Sequence, residues 1–445
     1  MKTVIIGAVV ALCFASVIPS HASASTGFTV ASGFSVNSDE AAAVKAAADS
    51  VKKGVPRPGL VVFFSTSGYD SPIVAAQMRK QLPNTRIFGA HSYKAVFSDR
   101  GFHRGVKGAI VALGLANPGV AFGLSGTEVE SAGAVSGKVD YSPTDEGALR
   151  EIARQTVLAA AKDAGKPLTQ TPSLVLISTM NGLENFLIDA IQQTFGGNVR
   201  LVGGTAIDNN FDTGGVFANE RFYKHGMVVA LVYGGEKSIG NYFLTDYSRS
   251  KNALVTATKG RRTIVALNQR PALDVYNDWI GGKLGSRPAS GAEDVGEIAR
   301  MRPLALIRKL PKGLTGVVTN LTLKKTSEGA LIQATDVHEG ERFTVTDADR
   351  KTLIERAGYT FKRAMDTASI KSNAIAGGIQ MYCKGAAYVG LAGNETDLSE
   401  MVVMLRERAY GRPFIGSFSG AEQGSHEGLG LFLGNFMNST AVFAK

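Results

Sequence analysis

Cysteine is almost missing from this chain. Among 445 residues there are two, Cys13 and Cys383, and the first lies in an N-terminal stretch expected to be removed. No intrachain disulfide is then available, and a packed core has to hold the fold. Long apolar runs are equally scarce. Beyond residues 4–17 they are strand-sized and broken by Gly or charge, which excludes a later membrane-spanning helix of about 20 apolar residues. Several signatures are absent as well: a phosphate loop, a Gly-x-Gly-x-x-Gly opening a helix after a strand, and a Gly-x-Ser-x-Gly elbow. In the nearest string to an elbow, 416–420, Ser419 falls one position late. The histidines His91, His103, His225, His338 and His426 show no metal-ligand spacing beyond the loose pair His91 and His103, so structural zinc is not expected. Acidic residues are outnumbered, giving a net charge of +10, but the modest basic clusters at 259–262 and 300–312 lack interleaved aromatics for stacking on bases. No nucleic-acid role is expected.

What is present begins with Lys2, an apolar run of about fourteen residues and the small-residue end Ala22-Ser23-Ala24, the pattern of a secretory signal peptide over 1–24. Export to the periplasm or beyond follows, with a mature chain from Ser25 that is not held in a membrane.

The main signal is a unit that occurs three times. The first copy reads helix 39–53, strand 60–64, helix 71–82, strand 86–88 running into Gly89-Ala90-His91-Ser92, and closing strand 109–113. The second reads helix 146–164, strand 174–178, helix 184–194, strand 200–202 running into Gly203-Gly204-Thr205-Ala206, and closing strand 227–232. Leu60 to Gly89 and Leu174 to Gly203 both span 29 positions. The third copy reads helix 347–365, strand 379–383, helix 398–408 and strand 414–415 running into Gly416-Ser417-Phe418-Ser419-Gly420. It closes with 429–432, extended toward 440–443, and an extra loop near 390–394 absorbs its longer spacing of 37. Between copies two and three lie β-prone stretches, with a hairpin signal on either side of Ser327-Glu328-Gly329. The expected fold is α/β, mixed sheets layered with helices, in two lobes built from a repeated helix-strand-helix-strand-strand unit. The lobes are taken as 25–280 and 281–445, divided at the Gly-rich segment after Gly281-Gly282.

On these residues the chain resembles the FIST-domain family of bacterial ligand-sensing modules. The matching segments are 202–209 with 224–229, 255–257 through 271–276, Met301-Arg302-Pro303-Leu304-Ala305, and Val337-His338-Glu339-Gly340. The chain departs from the family in carrying Ala386 for an arginine and Met437-Asn438-Ser439-Thr440 for His-Asn-x-Thr. The resemblance implies a sensor of a small molecule, an amino acid or similar metabolite, and no enzyme or cofactor. With no output domain expected after Lys445, it would signal through a separate membrane-bound partner. It also suggests a haem-binding gas sensor as an alternative, with His91 as axial ligand.

The candidate site follows from the repeats. Glycine turns let a ligand approach main-chain N–H groups, and α/β sheets bind ligands beyond strand C-termini. Gly203, Gly204, Thr205 and Asp208 are expected to face Cys383, Ser417, Ser419 and Glu422 across the cleft between the lobes, an acid meeting a ligand's ammonium. The structural alternative for each glycine is close packing of strand on helix. Cys383, at the end of a buried strand, reads as buried and inert. The competing reading is a cysteine-dependent hydrolase using Cys383 with His426 or Glu422.

Overall fold

The computed structural model describes residues 27–129, 146–210, 214–245, 248–309, 315–347 and 349–445. The stretch read as a signal peptide lies outside them.

In the first unit, β1 (Thr29–Ser35) leads into α1 (Glu40–Gly54). Asp39 caps the helix by accepting the Ala42 N–H at 2.7 Å, while Lys52 and Lys53 complement the dipole at its end. Its apolar stripe, Ala43, Val44, Ala47, Ala48 and Val51, covers one face of the sheet. Then come β2 (Leu60–Thr66), α2 (Ser71–Gln81, capped by Asp70), β3 (Arg86–Ser92), the hairpin β4 (Val96–Ser98) and β5 (Gly101–His103), and β6 (Ile110–Ala116). β2 and β3 are parallel, as a crossover helix demands, and β6 returns antiparallel between β1 and β2.

The second unit repeats this order: β7 (Ala121–Glu128), α3 (Glu146–Asp163), β8 (Leu174–Thr179), α4 (Glu184–Phe195), β9 (Leu201–Thr205), β10 (Val216–Ala218), β11 (Arg221–Tyr223) and β12 (Gly226–Tyr233). The third begins with β13 (Ile239–Tyr242) and is then interrupted. The interruption carries β14 (Ser248–Lys259), β15 (Thr263–Leu267), β16 (Arg270–Pro271), α5 (Ala272–Trp279), β17 (Ala292–Asp294), α6 (Gly296–Met301), β18 (Leu304–Lys309), β19 (Thr315–Asn320), β20 (Thr322–Thr326), β21 (Leu331–Gln333) and β22 (Arg342–Asp347), joined in one nine-stranded sheet. The third unit resumes with α7 (Arg350–Thr367), β23 (Ile375–Cys383), α8 (Glu395–Arg408), β24 (Phe414–Ser419), the hairpin β25 (Glu422–His426) and β26 (Gly430–Gly434), and β27 (Asn438–Ala444).

The fold is therefore the expected mixed α/β, with the polar stretch between copies two and three as an insertion inside the third. The hairpin expected at Ser327 to Gly329 is β20 and β21, with Gly329 at φ +84°. The leading strands β1, β7 and β13 are not among the elements expected from the sequence. The third closing strand is the expected extension toward 440–443 and not 429–432. β27 pairs antiparallel with β23, and 430–434 belongs to a hairpin.

No unit keeps its hairpin. β4 and β5 add to the edge of β24 in the third sheet, β10 and β11 to β3 in the first, and β25 and β26 to β9 in the second. The three sheets are thus closed into a ring by strand exchange. Their inner faces share one apolar core, which includes Val62 and Phe64, Leu176 and Val202, and Ile379 and Ile415. Each outer face is covered by its own pair of helices.

The glycines read as turns are strand residues instead. Gly89, Gly203 and Gly416 sit inside β3, β9 and β24. A Cβ would meet the Phe63 ring at 2.2 Å, Ile177 at 2.5 Å and the Phe97 ring at 2.0 Å respectively. Close packing requires a glycine at each of these positions.

Candidate functional site

Strand exchange brings four of the eight expected residues together. Glu422 on β25 pairs with Gly204 on β9, and a Cβ on Gly204 would touch Met381 and Ser419 at 2.9 Å. Ser419 Oγ donates to Glu422 Oε1 at 2.7 Å, the Met437 N–H donates to Glu422 Oε2 at 3.0 Å, and the Phe436 N–H donates to Cys383 Sγ at 3.2 Å. Gly204, Cys383, Ser419 and Glu422 form a closed, buried knot, with no open cleft between them. Ser417 is buried on β24 two residues from it. Asp208 turns elsewhere: its Oδ1 accepts the Asn210 N–H at 3.0 Å and its charge acts on His91.

Burial decides the chemistry of the knot. It raises Glu422 to about 8, and with the Glu422 carboxyl beside it the Cys383 thiol is pushed up to about 12. Cys383 is a neutral thiol near pH 7, the opposite of an activated nucleophile. His426 does not accompany it. It ends β25 four residues beyond Glu422, roughly 13 Å by strand rise, and its Nδ1 lies 2.9 Å from the Glu427 carbonyl. His91 has both ring nitrogens engaged, Nδ1 accepting the Gly215 N–H at 3.1 Å and Nε2 lying 2.9 Å from Ser71 Oγ. Burial lowers its pKa to about 4. It packs against Phe217 and Phe222, and an axial role would require breaking its bond to Ser71.

Next to the knot, on the helix side of the second sheet, is a cleft of about 160 Å³. It opens where β8 and β9 end and the inserted sheet approaches. Of the expected residues only Thr205 lines it. Thr205 Oγ1 donates to Glu184 Oε1 at 2.8 Å and accepts from Gln423 Nε2 at 2.9 Å, while the Gly182 N–H donates to Glu184 Oε2 at 2.7 Å. Gln423 Oε1 is buried without a hydrogen-bond partner. Glu184 is 2% exposed, and burial raises its pKa. Arg262, whose charge acts on this carboxyl and whose Nε is 3.2 Å from Asp336 Oδ1, and Lys384, whose Nζ stands 5.5 Å from the centre of the Tyr93 ring, line the same cleft. Asn435, also lining the cleft, ties the insertion to the third unit by accepting the Leu321 N–H at 3.3 Å. A buried carboxyl sharing a cleft with a guanidinium and an ammonium can receive both ends of a small zwitterion.

Glu184 was missed because an acid in a helix's first turn ordinarily answers the dipole. Arg262 was read only as part of a basic cluster. No sequence pattern relates them, since they meet through the insertion's docking.

The family model described as the FIST N domain matches residues 59–270, and the one described as the FIST C domain matches 272–425. No curated protein matches the chain. Similar solved structures include a cyanuric acid hydrolase described as an evolutionary innovation by structural concatenation (7% identity, 94% of this chain and 100% of that one, TM-score 0.38). Another is the cyanuric acid hydrolase of A. caulinodans (9% identity, 94% and 99%, TM-score 0.39), and a third is T. maritima PurL complexed with ATP (10% identity, 94% and 72%, TM-score 0.19). At such TM-scores they carry no argument about the chemistry of this chain.

Proposed function

The chain belongs to the FIST family, and on that premise we propose that it is a sensory module that binds one small metabolite in the cleft above Glu184 and Thr205. FIST domains are generally sensory and small-ligand-binding. The observation that carries the reading is a cleft of about 160 Å³ lined by the buried Glu184 together with Arg262 and Lys384. That volume is below the roughly 300–1,000 Å³ of drug-sized sites, which suits an amino acid or a similar compound. Its ammonium would meet Glu184 and its carboxylate Arg262 and Lys384. The wall that carries Arg262 belongs to the inserted sheet, so occupancy would hold the insertion against the ring, a change that a separate membrane-bound partner could sense. The pattern over 1–24 adds that it acts in the periplasm or outside the cell, and N-terminal sequencing of the exported protein should begin at Ser25.

Thermal unfolding across a panel of amino acids tests the site. A ligand at 100 times its Kd is expected to add about 2.7 kcal/mol, and Glu184→Gln and Arg262→Gln should each weaken it at least about tenfold. If no amino acid shifts the transition, the ligand class is wrong. If one does but both variants bind it unchanged, the cleft is wrong.

A further inference from the structure

The pseudo-threefold ring allows its three hairpin junctions to be compared position by position. Ser98 pairs with Gly101 and stands opposite Ile415, and Ala218 pairs with Arg221 and stands opposite Phe88. The corresponding residue of the third unit, Gly424, pairs with Phe432 and stands opposite Val202. Beyond these rungs the first two hairpins turn in two residues, 99–100 and 219–220, whereas the third runs on for seven, 425–431. The next residue also differs. Asp99 Oδ1 accepts the Phe414 N–H at 3.4 Å, and Asn219 Oδ1 accepts the Ile87 N–H at 3.2 Å. At the third junction the smaller Ser425 Oγ accepts the Leu201 N–H at 2.8 Å. In the leading strands Ser32 donates to Asp99, and at the corresponding position Asn241 Nδ2 donates to Ser425 Oγ at 3.0 Å.

The enlarged junction encloses a cleft of about 590 Å³, at the end of the second sheet opposite Thr205. Its floor is polar and fixed. Asn241 and Ser425 are 8% and 5% exposed and bonded to each other, and Ser173, 4% exposed, donates to Glu236 Oε1 at 3.1 Å. Arg200 and Glu427 complete the charged wall with His426 beside them, and among the described lining residues Pro172 and Gly428 alone lack a polar side chain.

We propose that this third junction is a second binding site, for a hydroxylated monocarboxylate of sugar-acid size. The volume falls within the roughly 300–1,000 Å³ of small-molecule sites. Polar walls exclude an apolar ligand. The Arg200 guanidinium supplies a fork for one carboxylate, while Glu236 and Glu427 accept hydroxyls and disfavour a polyanion such as a phosphate ester. Of the three junctions, the third alone has Ser where the others have Asp or Asn, and a lengthened hairpin.

Calorimetric titration of the full chain with glucuronate and gluconate, against glucose, acetate and inorganic phosphate, tests this. Both acids should bind, with the three controls at least about tenfold weaker. Arg200→Gln should weaken the acids at least about tenfold, and Glu184→Gln, in the other cleft, should leave them unchanged. Deleting 426–430 leaves a two-residue turn as at the other junctions, and should abolish binding while preserving cooperative unfolding. Silence from both acids, glucose or phosphate binding as well as the acids, or full affinity in Arg200→Gln would overturn the proposal. Should Arg200→Gln not fold, binding retained by the trimmed hairpin overturns it equally.

Discussion

His91 shows how burial sets a residue's chemistry whatever its position in a motif. Its two ring nitrogens bond Ser71 and Gly215, and burial holds its pKa at about 4 against an ordinary 6.5. Between those values the unfolded chain binds the proton more readily than the folded one. The stability from neutral His91 is therefore complete above pH 6.5 and lost as pH falls through about 4. By linkage it amounts to about 3 kcal/mol at most. Denaturant unfolding of the wild type and His91→Gln across pH 4 to 7 should show the gap between them closing toward acid. A gap independent of pH would mean that the ring is not titrating as its burial dictates. Buried His103 is lowered in the same way and contributes to both proteins, so only the difference is diagnostic. Glu422 runs in the opposite sense. Raised to about 8 by burial, it favours the folded state at low pH and loses that contribution as pH rises through that value.

At the scale of elements, each leading strand carries a glycine under its helix. A Cβ on Gly33 would stand 2.1 Å from the Ala47 carbonyl oxygen, on Gly123 2.0 Å from that of Ala160, and on Gly240 1.9 Å from that of Ala364. Backbone cannot yield as a side-chain tip does. Gly240→Ala is expected to cost about 3 kcal/mol or more, the upper end of overpacking, and to loosen α7 from β13. Gly119→Ala, whose Cβ would meet only Asn117 Oδ1 at 3.5 Å, is the control and should be near neutral. Equal thermal midpoints for the two variants would refute the close-packing account. These glycines passed unnoticed because the strands that hold them were not recognised: β1 reads Thr-Val-Ala-Ser-Gly-Phe-Ser, without the run of branched residues that marks β2. Helices were easier. The boundaries of α1, α2 and α8 were close because caps and apolar spacing are local signals.

For the whole molecule, the inserted sheet has its own core, around Tyr276, Leu304 and Phe343, and interrupts the third unit between β13 and α7. The first unit joins the corresponding strand and helix with residues 36–39 alone. Replacing 243–349 with that four-residue link should leave a ring that still unfolds cooperatively in a thermal scan, with a lower midpoint because Val318 and its neighbours no longer cover the third core. A chain that loses its cooperative transition would show that the insertion is part of the folding unit. The sequence by itself determined the unit, its threefold recurrence, the α/β class and the burial of Cys383. All of these rest on patterns within about 40 residues, where spacing reports directly on helix and strand. It also brought Gly204, Ser419 and Glu422 into one neighbourhood, because their repeats end at the same rim of the ring. Only the tertiary structure decided that this neighbourhood is a sealed knot and that the open cleft beside it is lined by Glu184, Arg262 and Lys384. The reason is physical: exchanged hairpins and a docked insertion pair residues far apart in the chain, and the cost of bringing them together is met by packing that no local pattern records.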